Sequence, residues 1–387
     1  MQLNAGDLIE QIKYDECNFF ACAMTYLQAI GVNASIQQLR EKGIELKGYI
    51  FIVGHPITGR ILSKTDFDID GTDIKIVNFM DAYKKKFMHP IRGRVLALRQ
   101  SKKHILCDSV YIVSTVIDYR WYQILYSYKS EKKLCYIVID DGGGSYANPF
   151  KDFLQYELYQ RKKNLINVTK VIIKTTIWSL YNNLLRHCLK KNDSYIDNRI
   201  FNNLKKNKLC PNEKIVPYYR NQFKKQGEKI NTEILSLCEN SVLFNTQCLV
   251  ENKMIEGEID ARLYQRSISI IKELELKVVL KPHPREVNIE KYESIGATLI
   301  PANVTQEALL ANLDNLPKCI ISIFSSTLLN AKGLFNIPVI SLAKILLKED
   351  INKVFRSQLQ DFILQYEDLF WFPESMDELK KMVSTLV

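Results

Sequence analysis

Apolar runs and helical stripes alternate along the chain. Short β-rich runs stand at Tyr49–Val53, Ile74–Val77, Val95–Leu98, Val110–Val116 and Leu134–Ile139. Such runs between polar punctuation predict strands. Ser35–Lys42 reads as a helix that stops at Gly43. Ile177, Leu180, Leu184, Leu185 and Cys188 share one stripe and predict a long helix over 168–190. The second half resumes the alternation. Strands are expected at Val242–Asn245, Lys277–Leu280, Thr298–Ile300, Cys319–Ile323 and Pro338–Leu342. Helices are expected near Ile259–Glu275, from Thr305, and at Thr327–Phe335. A last helix opens at Ser375, with Glu378 three residues on as a capping box.

Strands alternating with helices predict largely parallel sheets with helices on their faces. Between the halves, residues 191–232 are polar and basic, with Lys205-Lys206, Lys224-Lys225, Pro211 and Pro217. The expected organisation is a Rossmann-like domain over 1–210, a linker over 211–235 and a second Rossmann-like domain over 236–387. The 387 residues suit about two to three domains. No internal repeat of 20–50 residues is visible.

Composition narrows the class. Hydrophobic residues are 47% and charged residues 25%, which excludes a disordered or fibrous chain. The net charge of +10 fits either a lysine-rich solvated surface or an anionic partner. The nine cysteines are odd in number, lack C-x-x-C spacing, and sit mostly in apolar runs such as Leu134-Cys135-Tyr136-Ile137. That pattern suits buried thiols in a reducing compartment. No stretch of about 18 apolar residues predicts a membrane span, and no secretory signal is apparent. The expectation is a cytoplasmic protein, peripheral at most on the cytoplasmic face of an inner membrane.

In α/β sheets ligands sit outside the carboxyl ends of strands, so the loops after strands carry the candidate chemistry. Asp140-Asp141-Gly142-Gly143-Gly144-Ser145-Tyr146 follows the strand ending at Ile139. Paired carboxylates can raise one pKa and supply a general base; a plain acidic turn is the simpler alternative. Lys281-Pro282-His283-Pro284-Arg285-Glu286 follows Leu280. Three of the five histidines precede proline, His55, His89 and His283, but only His283 has two flanking prolines and two flanking cations after an apolar strand. The prolines stiffen the loop, and Lys281 and Arg285 would attract a phosphate. Ser322-Ile323-Phe324-Ser325-Ser326-Thr327 opens a helix. One hydroxyl suffices as a cap; Ser325, Ser326 and Thr327 together suit an anion. Two further motifs lead nowhere. Asp66-Phe67-Asp68-Ile69-Asp70-Gly71 begins like a calcium loop, but Val77 holds the twelfth position. The glycine run at 142–144 has no following Gly-Lys-Ser/Thr, and no nucleic-acid-binding signature appears.

Taken in order, Asp140-Asp141-Gly142 with Ser145-Tyr146, His283-Pro284 and Ser325-Ser326 resemble the motifs of bacterial sialyltransferases of the lipooligosaccharide and capsule-polysialyltransferase type. Leu243–Leu249 resembles the strand-to-loop that opens their donor domain, and Ala21–Gln28 is a weaker echo. The resemblance covers roughly residues 130–345. It departs at Gly143, where relatives often carry a larger residue, and at Cys248, where a proline is usual.

The resemblance implies an α/β GT-B fold, with two Rossmann-like domains facing a central cleft. It implies an inverting, metal-independent transferase that moves sialic acid from CMP-sialic acid to a hydroxyl of a cell-surface glycan, in lipooligosaccharide or capsule. No cofactor is implied. Asp141 would be the base, with Asp260 as the other candidate. His283 would serve the donor phosphate. Lys281, Pro284, Ser325, Ser326, Thr327 and Gln247 would bind the donor, and Asp140, Gly142 and Gly143 would shape the acceptor loop. The implied partners are CMP-sialic acid, an acidic or galactose-terminated acceptor glycan and an inner-membrane surface. Nucleic acid is not implied, and an oligomer is compatible. The basic run from Lys205, Lys206 and Lys208 to Arg220, Lys224 and Lys225, beside Tyr218 and Tyr219, would then guide an anionic acceptor or rest on lipid; a solvated surface is the alternative. Rival functions are a UDP-sugar transferase, a CDP-glycerol glycerophosphotransferase and a non-enzymatic basic protein binding membrane or RNA.

Overall fold

The computed structural model describes residues 17–52, 62–78, 109–115, 133–141, 195–203 and 209–386, with isolated positions between 169 and 176. The chain divides into two compact units, Met1–Arg199 and Ile200–Val387.

The first unit is built on six parallel strands: β1 (Phe19–Ala23), β2 (Lys47–Ile52), β3 (Asp73–Asn78), β4 (Ser109–Ser114), β5 (Lys133–Ile139) and β6 (Tyr195–Asn198). Their order is β3-β2-β1-β4-β5-β6, and every pairing is parallel. The helix α1 (Tyr26–Glu41) follows β1 and is capped by Thr25. Ala29, Val32, Ile36 and Leu39 fall at helical spacing and pack with Phe19, Ile50, Val113 and Ile137 in one core. The helix expected from Ser35 therefore starts nine residues earlier. The strand expected at Val95–Leu98 lies outside the described residues, and so does all of the helix expected over 168–190 except Thr169, Ile172, Ile173 and Thr176, which are helical.

The second unit has a parallel sheet of β9 (Val242–Asn245), β10 (Val278–Lys281), β11 (Thr298–Leu299), β12 (Cys319–Ser322) and β13 (Val339–Ser341). A two-stranded antiparallel ribbon, β7 (Phe201–Asn203) with β8 (Leu209–Pro211), precedes it. The main order is β11-β10-β9-β12-β13. All residues of β9, β10 and β12 are buried, which explains their unbroken apolar runs. The helices are α2 (Val216–Gly227), α3 (Thr232–Cys238), α4 (Ile259–Lys272), α5 (Gln306–Ala311), α6 (Ser326–Phe335), α7 (Ala343–Leu346), α8 (Lys353–Tyr366) and α9 (Met376–Ser384).

Both parallel sheets thus share the doubly wound order, in which the winding reverses beside the first strand of each, β1 and β9. The change of unit at Arg199/Ile200 precedes the expected linker at 211–235. That stretch forms α2 and α3 instead. It reads as polar because α2 exposes Lys224 and Lys225, yet Val216, Tyr219 and Phe223 are buried at helical spacing. Tyr219 is therefore core, and Arg220 donates to the Leu334 carbonyl and lies over the Phe335 ring. The buried thiols behave as expected of core groups. Desolvation pushes Cys238 up to about 11 and Cys319 up to about 12.

Candidate active site

Each unit gathers candidate groups at the carboxyl ends of its strands. In the first unit β5 ends by delivering Asp140 and Asp141. Asp140 is fully buried, whereas Asp141 is exposed. Gln28, in the first turn of α1, is only 2% exposed. Its Nε2 donates to Asp141 Oδ1 at 2.5 Å, and its Oε1 accepts from Met24 N at 2.7 Å. The amide is thus held at both ends, and it fixes one oxygen of the carboxylate. Gly142, Gly143, Ser145 and Tyr146 lie outside the described residues.

In the second unit the loop after β10 turns tightly. Glu286 N donates to His283 O at 3.0 Å, and Arg285 N donates to His283 Nδ1 at 3.1 Å. Since Nδ1 accepts, the proton of the neutral imidazole resides on Nε2. Burial, then the charges of Arg285 and Lys281, lower the His283 pKa to about 4; Glu251 opposes them weakly. At neutral pH His283 is an uncharged hydrogen-bond donor. Pro284 and Arg285 are exposed at the loop tip.

Lys281 ends β10 and is 7% exposed. Among the described residues its ammonium forms no hydrogen bond or ion pair. Desolvation lowers its pKa, against the pull of Glu307 and Glu286. Its register partner across the sheet is Asn245 of β9. Asn245 Nδ2 donates to Gln306 Oε1 and, at 3.4 Å, to Thr327 Oγ1. Its buried Oδ1 has no partner among the described residues.

The loop after β12 opens α6. Ser325 is the cap: its Oγ accepts from Thr327 N at 3.2 Å and meets Thr327 Oγ1 at 2.7 Å. Ser326 is exposed, and its hydroxyl has no partner among the described residues. Capping therefore occupies Ser325 and Thr327 and leaves the Ser326 hydroxyl uncommitted among the described residues. Gln247, expected at the donor, acts as a strut: its Oε1 accepts from Phe324 N at 2.6 Å. This bond ties the loop after β9 to the loop after β12, where the winding of the sheet reverses.

Beneath the His283 loop lies a buried polar cluster. Lys291 Nζ bonds Asp260 Oδ2 at 2.8 Å and faces Glu286 Oε1 at 3.3 Å. Burial works against its charge, but the hydrogen bond and charge of Asp260, with those of Glu286, hold the Lys291 pKa above its usual value. Tyr292 OH donates to Glu286 Oε1 at 2.6 Å and approaches Asp260 Oδ2 at 3.5 Å. Burial first, then Tyr264, Glu286 and Asp260, raise the Tyr292 pKa. Asp260 is fully buried, and its Oδ1 accepts from Ala261 N. A carboxylate so enclosed is closed to solvent, whereas that of Asp141 is open to it. The Asp66 carboxylate of the calcium-like run is also a local cap, accepting from Ser63 N at 2.7 Å.

Thr246, Glu286, Lys291 and Tyr292 escaped sequence reasoning. Glu286 stands in the Lys281–Glu286 loop, but no spacing signals that its carboxylate folds back under His283.

A family model for alpha-2,8-polysialyltransferase matches residues 19–344. No curated protein sequence matches the chain. Several solved structures are similar. The S. aureus MnaA–UDP co-structure is 12% identical, with 95% of this chain and 87% of that chain covered and a TM-score of 0.47. The sialyltransferase from Photobacterium damsela is 14% identical, with 92% and 81% covered and a TM-score of 0.43. The alpha/beta-galactoside alpha-2,3-sialyltransferase from Photobacterium phosphoreum is 14% identical, with 92% and 97% covered and a TM-score of 0.44.

Proposed function

The chain belongs to the alpha-2,8-polysialyltransferase family, and on that premise we propose that it transfers sialic acid from CMP-sialic acid to a hydroxyl of a cell-surface glycan, with inversion and without a metal. The two doubly wound units are the parts of a GT-B transferase. In this reading the first unit supplies the base and the second holds the leaving nucleotide.

The acceptor oxygen attacks the anomeric carbon of the donor sugar. The bond from that carbon to the CMP phosphate oxygen breaks, and CMP leaves with the electron pair. Asp141 takes the hydroxyl proton as attack proceeds, and Gln28 keeps its reactive oxygen aimed. His283 donates its Nε2–H to the departing phosphate. With a pKa near 4 in the ligand-free chain, His283 meets the donor as a neutral hydrogen-bond donor at neutral pH. Ser326 and the N-terminus of α6 take a share of the phosphate charge. One displacement requires no covalent intermediate, so the buried thiols have no role.

The observation that best supports the reading is the His283 tautomer, set by the Arg285 N–H on Nδ1. It leaves the imidazole Nε2–H as a donor at the carboxyl end of β10, the expected place for a phosphate. A general acid or base contributes about 10²–10⁴-fold, or roughly 3–5 kcal/mol of barrier.

The test is thermal stabilisation by CMP, CDP, UDP and GDP with a chelator present, since bound ligand raises Tm by mass action. The expected result is stabilisation by CMP, lost in His283→Ala, followed by transfer from CMP-sialic acid in an acceptor screen. Stabilisation by UDP or CDP alone would move the donor to a UDP-sugar or a CDP-linked alcohol. No shift with any nucleotide would overturn the transferase reading.

A further inference from the structure

We propose that Glu286 is a positioning residue for His283, acting through the backbone of the loop and not through the substrate. The proposal rests on the reading that His283 serves the leaving phosphate.

Glu286 is 6% exposed. Its Oε2 accepts from His283 N at 3.0 Å and from Thr246 Oγ1. Thr246 Oγ1 in turn accepts from His283 N at 3.0 Å. One backbone N–H is thus shared between the end of β9 and the end of its own loop. The other carboxylate oxygen is held by Tyr292 at 2.6 Å and Lys291 at 3.3 Å. Lys291 is tied to Asp260 in α4. The chain of contacts therefore runs from α4 through Lys291 and Glu286 to His283 N.

A simple turn does not require this arrangement. Pro282 and Pro284 already restrict the loop, and an apolar residue at 286 would fill the space. Burying a carboxylate is unfavourable unless its partners compensate. Here the partners are aimed, so the carboxylate sets the position of one atom, His283 N. Two residues on, Arg285 N sets the tautomer of the same imidazole. Position and tautomer of the donor group are fixed together. A misplacement of about 1 Å at a reacting group can cost about 10²-fold.

The experiment measures transfer from CMP-sialic acid by the full chain. Glu286→Gln keeps the shape and leaves Lys291 paired with Asp260. The expected result is a fall in kcat of about ten- to a hundredfold, with donor KM changed less than about threefold. Thr246→Ser should keep the rate and Thr246→Val should lose it, which tests the clamp even if Glu286→Gln folds poorly. In a His283→Ala background Glu286→Gln should cost nothing more, because the residue acts through His283. A second readout is independent of turnover. In the wild-type chain the imidazole 15N shifts of His283 should report one tautomer, and in Glu286→Gln an average of two. Losses that multiply in the double variant, or an unchanged tautomer, would overturn the positioning role while the transferase reading stands. Wild-type turnover in His283→Ala would overturn the role of His283 and with it the positioning role, whereas no transfer by the wild-type chain would overturn the transferase reading.

Discussion

Gln28 Nε2 donates to Asp141 Oδ1 at 2.5 Å, joining residues 113 positions apart in the first unit. Both ends of the Gln28 amide are engaged, so it orients a carboxylate that is otherwise exposed. Asp141→Ala should lower turnover at least about a hundredfold with little change in Tm. Gln28→Glu places two carboxylates in contact and should move the acidic limb of the kcat/KM profile upward, because like charges raise one pKa. A wild-type limb in that variant would separate Gln28 from the chemistry.

His283 titrates near 4 when folded, against an ordinary 6.5. The folded value is the lower, so the unfolded chain takes up a proton first as pH falls. The contribution to stability is complete above about 6.5 and is lost as pH drops toward 4. Denaturant titrations across that window should show a shallower pH slope in His283→Ala. An imidazole titration by NMR should give a midpoint near 4 without ligand and a higher one with CMP bound, since the phosphate charge favours the imidazolium.

Ser325 and Ser326 should separate stability from binding. Ser325 caps α6, so Ser325→Ala should cost about 1 kcal/mol of unfolding free energy as well as nucleotide affinity. Ser326 is exposed and uncommitted, so Ser326→Ala should leave Tm unchanged and weaken CMP binding in calorimetry. Equal effects on stability would show that both hydroxyls serve the helix.

Lys291 neutralises two buried carboxylates, Asp260 and Glu286. Lys291→Met leaves both without their cation and should destabilise the chain by about 3–5 kcal/mol in urea titrations. Asp260→Asn keeps Lys291 beside Glu286 and should cost less. A mild effect in Lys291→Met would mean that the cluster takes up water or a proton.

Gly48 stands where β2 passes β1. A Cβ there would collide with the Phe19 carbonyl oxygen, which is backbone and cannot swing aside. Gly48→Ala should destabilise the first unit, measured as a loss of Tm or of soluble yield.

By itself the sequence determined most strands of the two parallel sheets and the loops that follow them, but not β1 at Phe19–Ala23 or β6 at Tyr195–Asn198. β9, β10 and β12 were legible because strands covered on both faces must be apolar throughout. His283 and Ser325 stood out because their loops begin where such runs end. The last helix was legible too: Ser375 Oγ accepts from Glu378 N at 3.1 Å, although the Glu378 carboxylate reaches back to Glu374 N rather than to Ser375. Only the tertiary structure decided what each polar group does. Asp141 and Asp260 look alike in sequence, but one is exposed and held by Gln28, and the other is buried against Lys291. Gln247, expected at the donor, braces Phe324 through its Oε1. The basic stretch at 211–235 looked like a linker and forms α2 and α3, because Val216, Tyr219 and Phe223 face inward. The reason is physical. Apolar periodicity is a local property, written every two or 3.6 residues. The partner of a buried charge arrives from a distant segment, and no local pattern records which one.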